Sequence, residues 1–186
     1  MANHQKSRQV LAYLDRHRIN IVFLQETHCS PGATPTFGAR WAAQRFFASY
    51  STYSRGVAIL IRKSVPFHLI KCVSDPLGRL LMVACSISGV QLLLLNVYGP
   101  NVDDPAFFEE CLQITQDLRR WPMLWGGDLN LVRDPLMDST SGRRAGGHRT
   151  TDTLRDVMTT CELEDVWRTL HPNDSVYTFF SPVHGV

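Results

Sequence analysis

Apolar side chains recur at helical spacing through His4–Arg18, with Val10, Leu11 and Leu14 on one side and Lys6, Arg8, Asp15 and Arg16 on the other. That spacing predicts an amphipathic helix. The helix runs into Ile19-Asn20-Ile21-Val22-Phe23-Leu24, a near-continuous apolar run that predicts a strand buried on both faces. This strand ends in the polar Gln25-Glu26-Thr27-His28. A helix feeding a buried strand is half of an α/β crossover unit, so a preceding strand is expected, yet the helix begins almost at the first residue.

The middle of the chain changes period. Arg55–Ile61, Phe67–Val73, Arg79–Ser86 and Gln91–Val97 are β-rich segments separated by Gly, Pro, Asp and Ser. The short gap at Ser88-Gly89 predicts a hairpin, and the four segments together predict an antiparallel meander. A second helix is predicted over Asp104–Arg120, with Pro105 in its first turn and Phe108, Cys111, Leu112 and Leu118 as its apolar stripe. Pro122-Met123-Leu124-Trp125 predicts another short buried strand, which ends in Gly126-Gly127-Asp128-Leu129-Asn130. Asp138–Arg149, rich in Gly, Ser and Arg, reads as a mobile loop. Helices are predicted at Thr151–Cys161 and around Leu163–Leu170, and a final strand at Tyr177-Thr178-Phe179-Phe180.

Composition narrows the class. A chain of 186 residues with 44% hydrophobic and 19% charged positions is an ordinary globular chain, expected to form a single domain over 1–186. A formal net charge of +2 neither demands nor excludes nucleic acid, because a groove can be basic while the whole is balanced. Cys29, Cys72, Cys85, Cys111 and Cys161 are widely spaced, which predicts buried free thiols in a reducing compartment. No Cys-x-x-Cys pair suggests zinc. No apolar run approaches the roughly 20 residues needed to cross a bilayer, and the N-terminus lacks a signal-peptide core. The expected location is intracellular, in nucleus or cytoplasm.

Three apolar strands end in polar clusters: Leu24-Gln25-Glu26-Thr27, Leu95-Asn96-Val97-Tyr98 and Gly126-Gly127-Asp128-Leu129-Asn130. In α/β sheets such ends aim short polar side chains into one cleft. Carboxylates and an amide there suit a hard, oxygen-seeking cation, Mg²⁺ or Mn²⁺. Singly, each has a bland account: a solvated strand end, a rim aromatic, a turn. Together they point to a site.

Leu24-Gln25-Glu26-Thr27-His28, Gly56-Val57-Ala58-Ile59-Leu60, Asn96-Val97-Tyr98-Gly99-Pro100-Asn101 and Gly127-Asp128-Leu129-Asn130 resemble, in order and spacing, the endonuclease/exonuclease/phosphatase superfamily. Asp165-Val166-Trp167-Arg168-Thr169-Leu170-His171-Pro172 and Tyr177-Thr178-Phe179-Phe180-Ser181 look like the apurinic-type endonuclease domains of LINE-type non-LTR retrotransposons. The resemblance implies a four-layer α/β-sandwich of the exonuclease III and pancreatic deoxyribonuclease type, lacking the first strand and the last strands. It implies a metal-binding role for Glu26, a scissile-phosphate contact for Tyr98, water activation by Asp128 and phosphate positioning by Asn130. Thr178 matches a phosphate-contacting threonine. DNA is the implied substrate, and Mg²⁺ the implied cofactor.

Three parts of the family pattern find no match: an opening strand with an active-site asparagine, an aspartate-bearing strand, and a closing segment with the catalytic histidine. Residues of one catalytic unit fail together, so the resemblance implies an inactive or crippled endonuclease in this form. His171 and His184 are the nearest substitutes, and each reads better as a structural or loop residue. Exposed sheet edges would then invite pairing with another chain. The alternative is a non-catalytic nucleic-acid or protein-binding module that kept the fold. A small-phosphoester phosphatase or sphingomyelinase is disfavoured by the Trp167–Pro172 and Tyr177–Ser181 segments. Arg143 and Arg144, with Arg133, His148 and Arg149 nearby, form a basic loop that could follow a DNA backbone.

Overall fold

The computed structural model describes residues 4–32, 35–139, 147–175 and 177. Along the chain these form α1 (His4–Arg16), β1 (Ile21–Leu24), β2 (Ala42–Ala48), β3 (Val57–Arg62), β4 (Phe67–Ser74), β5 (Leu80–Ile87), β6 (Val90–Tyr98), α2 (Ala106–Thr115), β7 (Met123–Asp128), α3 (Pro135–Asp138), α4 (His148–Thr160) and α5 (Val166–Leu170). Contacts cluster in two compact units: Met1–Gly99 with Gln113–Leu129, and Pro100–Leu112 with Asn130–Val186.

The first unit holds both sheets. One has the order β1-β3-β2 and the other β4-β5-β6-β7. β4, β5 and β6 are the antiparallel meander expected, with Ile87 opposite Val90 across the Ser88-Gly89 turn. Both turn residues take positive φ, 50° and 85°, as a two-residue hairpin of this hand requires. β3 leaves the predicted meander: it is the centre of the other sheet, antiparallel to both β1 and β2. Its Val57–Ile61 run is buried on both faces because sheet lies on one side and helix on the other. β2 was not predicted; a register shift between Ala42 and Gln44 breaks its alternation.

The sheets face each other through Ala48, Val57, Ile59 and Ile61 on one side and Leu81, Val83, Cys85 and Leu94 on the other. On the opposite face of the first sheet, Ala58 and Leu60 meet α1 through Leu14, with Val10 and Leu11 at the margin. The amphipathic spacing of α1 is thus used as predicted. The helix closes on Arg18 at φ 51°, with the Ile19 N–H donating to the Leu14 carbonyl at 2.9 Å. β1 is less buried than its apolar run suggested. Only Val22 is fully covered, because among the described residues β3 is its one paired neighbour. β7 joins β6 in parallel and carries the chain to Asp128.

In the second unit α4 buries Thr150, Thr151, Leu154 and Val157, and Phe107 and Phe108 meet edge to face at 5.1 Å. Of the predicted final strand only Tyr177 is described, outside any element. All five cysteines are free, but only Cys85 and Cys111 are buried; Cys72 is exposed on the edge strand β4.

Candidate active site

The first unit brings Glu26, Tyr98 and Asp128 together. β1 and β3 pair as far as Leu24 opposite Ala58. The chain then bulges, and contact resumes where the Thr27 N–H donates to the Gly56 carbonyl (2.9 Å) and the His28 N–H to that of Arg55 (3.0 Å). Glu26 lies in the bulge with φ 51°, a conformation that side chains other than glycine and asparagine disfavour. Strain of this kind gathers where a side chain must be re-aimed. Here it leaves the Glu26 carboxylate exposed and in reach of β6, where the Tyr98 hydroxyl donates to its Oε1 at 2.8 Å.

Tyr98 in turn stands in register with Asp128 across the parallel β6–β7 pair. The Gly99 N–H donates to the Asp128 carbonyl at 2.7 Å, which fixes the last rung of the ladder. The two glycines before Asp128 have steric causes. A Cβ on Gly126 would press on the Phe23 ring of β1, so the bare backbone lets the two sheets close at this edge. Gly127, at φ 142°, has no room for a Cβ against the Val97 carbonyl. Gly-Gly-Asp is therefore the end of a strand, and the turn reading is set aside. Gly56, at φ 93°, is held to hydrogen by the buried Thr27 side chain.

Two residues that the sequence reading left without a role belong to this edge. Asn96, fully buried on β6, donates from Nδ2 to the carbonyls of Leu24 (3.0 Å) and Ala58 (2.8 Å). Its Oδ1 accepts from Gln25 Nε2 at 2.7 Å. An asparagine amid leucines was the available signal.

A divalent cation of the magnesium type keeps several waters and takes one or two carboxylates together with substrate phosphate. The exposed Glu26 carboxylate, with Asp128 beside its tyrosine partner, fits that demand. Among the described residues no three His, Cys, Asp or Glu side chains gather into a protein cage.

The second unit contains Asn130, the residue two beyond Asp128, itself at φ 51°. Thr178, Arg143, Arg144 and His184 lie outside the described residues. Arg133 is paired with Asp165 at 3.5 Å, which blunts its use for phosphate. The segment from Asp165 to Pro172 makes its bonds within this unit. The Asp165 carboxylate caps α5 at the Arg168 N–H (2.9 Å), Trp167 stacks on His171 with ring centres 4.0 Å apart, and Arg168 binds Asp138 at 2.6 Å. His171 Nδ1 lies 3.0 Å from Asp174. In the same unit Asp103 accepts from both the hydroxyl (2.7 Å) and the N–H (2.9 Å) of Thr150 at the start of α4. These bonds, hydroxyl first, hold its carboxyl below the ordinary range.

Comparison with known proteins identifies the family and the fold. A family described as "Endonuclease/Exonuclease/phosphatase family" matches residues 1–184. The chain is 28% identical over 174 residues to the "Transposon TX1 uncharacterized 149 kDa protein" of Xenopus laevis, covering 92% of the chain but 13% of that relative. Among solved structures, an AP endonuclease from Archaeoglobus fulgidus is similar with a TM-score of 0.75 at 21% identity, over 96% of this chain and 75% of that one. A 3'-5' exonuclease from Neisseria meningitidis is similar with a TM-score of 0.71 at 22% identity, over 95% and 74%. These likenesses show the fold: α/β with two sheets, of the AP endonuclease and exonuclease III type.

Proposed function

Because the chain belongs to the endonuclease/exonuclease/phosphatase family, we propose that its Glu26–Tyr98–Asp128 edge is the phosphate-cleaving site of a metal-dependent DNA endonuclease domain of retrotransposon origin. The observation that carries this reading is the 2.8 Å bond from Tyr98 to Glu26, with Asp128 in register beside that tyrosine. The fold is that of a nuclease or phosphodiesterase domain, and a transposon protein is similar along nearly the whole chain. DNA as substrate is supported by a neighbouring structure, the Neisseria 3' phosphatase NExo bound to product DNA hairpin. The chain spans 13% of its transposon relative, so activity of the larger protein is part of the proposal.

In this reading Glu26 holds a divalent cation, Mg²⁺ or Mn²⁺, and the Tyr98 hydroxyl fixes the carboxylate and borders the phosphate. When bound, the cation supplies charge stabilisation at the phosphoryl and leaving oxygens. Asp128 orients and deprotonates the attacking water, and Asn130 is assigned to hold the phosphate. Thr178, Arg143 and Arg144 are assigned phosphate contacts from the sequence alone.

Nicking of supercoiled plasmid tests this. In this form conversion to open circles is expected to be slow, as for a crippled site, yet to require Mg²⁺ and to stop with chelator. Asp128→Ala is expected to take what rate remains to background, because residues of one catalytic unit fail together. Nicking indifferent to both would refute the assignment. DNA binding without nicking would favour a non-catalytic module built on the same fold.

A further inference from the structure

The bulge that presents Glu26 needs a cause of its own. A non-glycine residue at φ 51° relaxes to extended backbone unless its neighbours hold it. Leu24 and Ala58 are the last paired residues before the bulge, and Asn96 spends both amide hydrogens on their two carbonyls. Its oxygen takes the amide of Gln25, the residue immediately before Glu26. Alternation along β6 puts Asn96 on the same side as Leu94 and Tyr98, the side facing the first sheet. One face of one strand thus grips the backbone before Glu26 and, two residues on, bonds its carboxylate.

We propose that Asn96 and Gln25 are positioning residues for Glu26, a buried amide clamp that sets the carboxylate beside Tyr98 and Asp128 before metal or phosphate arrives. The proposal rests on the reading of Glu26 as the cation-holding carboxylate. Packing alone does not call for asparagine. Leucine has nearly the same volume but gives nothing to the Leu24 and Ala58 carbonyls and takes nothing from the Gln25 amide, and aspartate has no hydrogens to give.

Asn96→Leu is the direct variant, but its burial makes misfolding an expected complication. Gln25→Leu, at a half-buried position, removes one bond of the clamp and spares the rest. Amide hydrogen exchange of the full 186-residue chain, without metal, reads the clamp. In Gln25→Leu the Thr27 and His28 amides are expected to exchange about five- to tenfold faster, the size of one lost hydrogen bond. Val83 and Leu94, in the sheet core, should change less than about twofold. A uniform acceleration marks a merely structural role and overturns the proposal, as does no change at Thr27 and His28. Mn²⁺ binding, followed by the paramagnetic signal of the free ion, reads the consequence. Gln25→Leu should weaken it several-fold, Glu26→Gln should remove it, and the double variant should bind no worse than Glu26→Gln. Mn²⁺ binding untouched by Glu26→Gln sinks the cation reading, while the exchange result still decides on the clamp.

Discussion

Gly127→Ala isolates the steric constraint that places Asp128. Gly127 adopts φ 142°, a region closed to side chains, and an added methyl group would overlap the Val97 carbonyl. That carbonyl belongs to the backbone of β6, and Val97 is wholly buried, so it cannot swing aside as a flexible side chain would. The backbone conformation should cost about 1–3 kcal/mol and the overlap a further 1–3 kcal/mol or so. Against a domain stability of about 5–15 kcal/mol the sum is severe. Gly89→Ala is the matched control. Its φ of 85° is also unfavourable, but nothing lies within 4 Å of the added carbon, leaving only the backbone cost of roughly 1–2 kcal/mol. Urea unfolding followed by circular dichroism compares the two, provided both keep the parent's slope. The expected excess loss for Gly127→Ala is at least the overlap, about 1–3 kcal/mol, to which any extra backbone cost of φ 142° over φ 85° adds. Equal losses, or a smaller one at Gly127, would refute the claim that contact with β6 requires glycine there.

The Asp103 carboxylate and the thiols give three more expectations. Thr150 holds the Asp103 carboxyl below its ordinary range, so this contribution to stability is complete above the usual carboxylate pKa near about 4 and fades as pH falls through the lowered value. Asp103→Asn, which can still cap α4, should flatten the acid limb of the stability curve; an unaltered limb contradicts the assignment. Burial pushes the Cys85 thiol up to about 11, so its contribution is complete below the unfolded thiol's pKa, about 8.5, and is lost as pH rises through about 11. Thiol reagents should modify exposed Cys72 in the folded chain and reach Cys85 and Cys111 only at the rate of unfolding; rapid native labelling of Cys85 would refute this.

The parts of the fold legible in the sequence are those governed by local signals. The β5–β6 hairpin announced itself through Ser88-Gly89, and α1 through its apolar stripe, because turn chemistry and helical period act over a few residues. Sheet membership is a long-range matter. The Val57–Ile61 run suits the centre of either sheet, and only pairing with β1 and β2 decides. That Glu26 meets Tyr98 and that Tyr98 stands beside Asp128 was legible only from the three strand ends taken together with the family resemblance, since each alone has a bland account. Asn96 was visible as an oddity, but its role was not. Its carbonyl partners lie 72 and 38 positions away, beyond any local pattern.

The most family-specific segment and the most chemical one prove to be different things. Asp165, Trp167, Arg168 and His171 narrow the resemblance, yet their bonds are spent on helix capping, stacking and ion pairing within the second unit. The candidate chemistry depends instead on the closeness of two sheets. Glu26 rides on the end of β1, whereas Tyr98 and Asp128 ride on β6 and β7, so a small sliding of one sheet over the other would part the carboxylate from its tyrosine. Three features oppose that sliding at the same edge: the glycine that admits Phe23, the amide that spans Leu24 and Ala58, and the apolar interlayer behind them. Rigidity here comes from the sheets themselves, which is what a site that must hold charge in place before substrate binds requires.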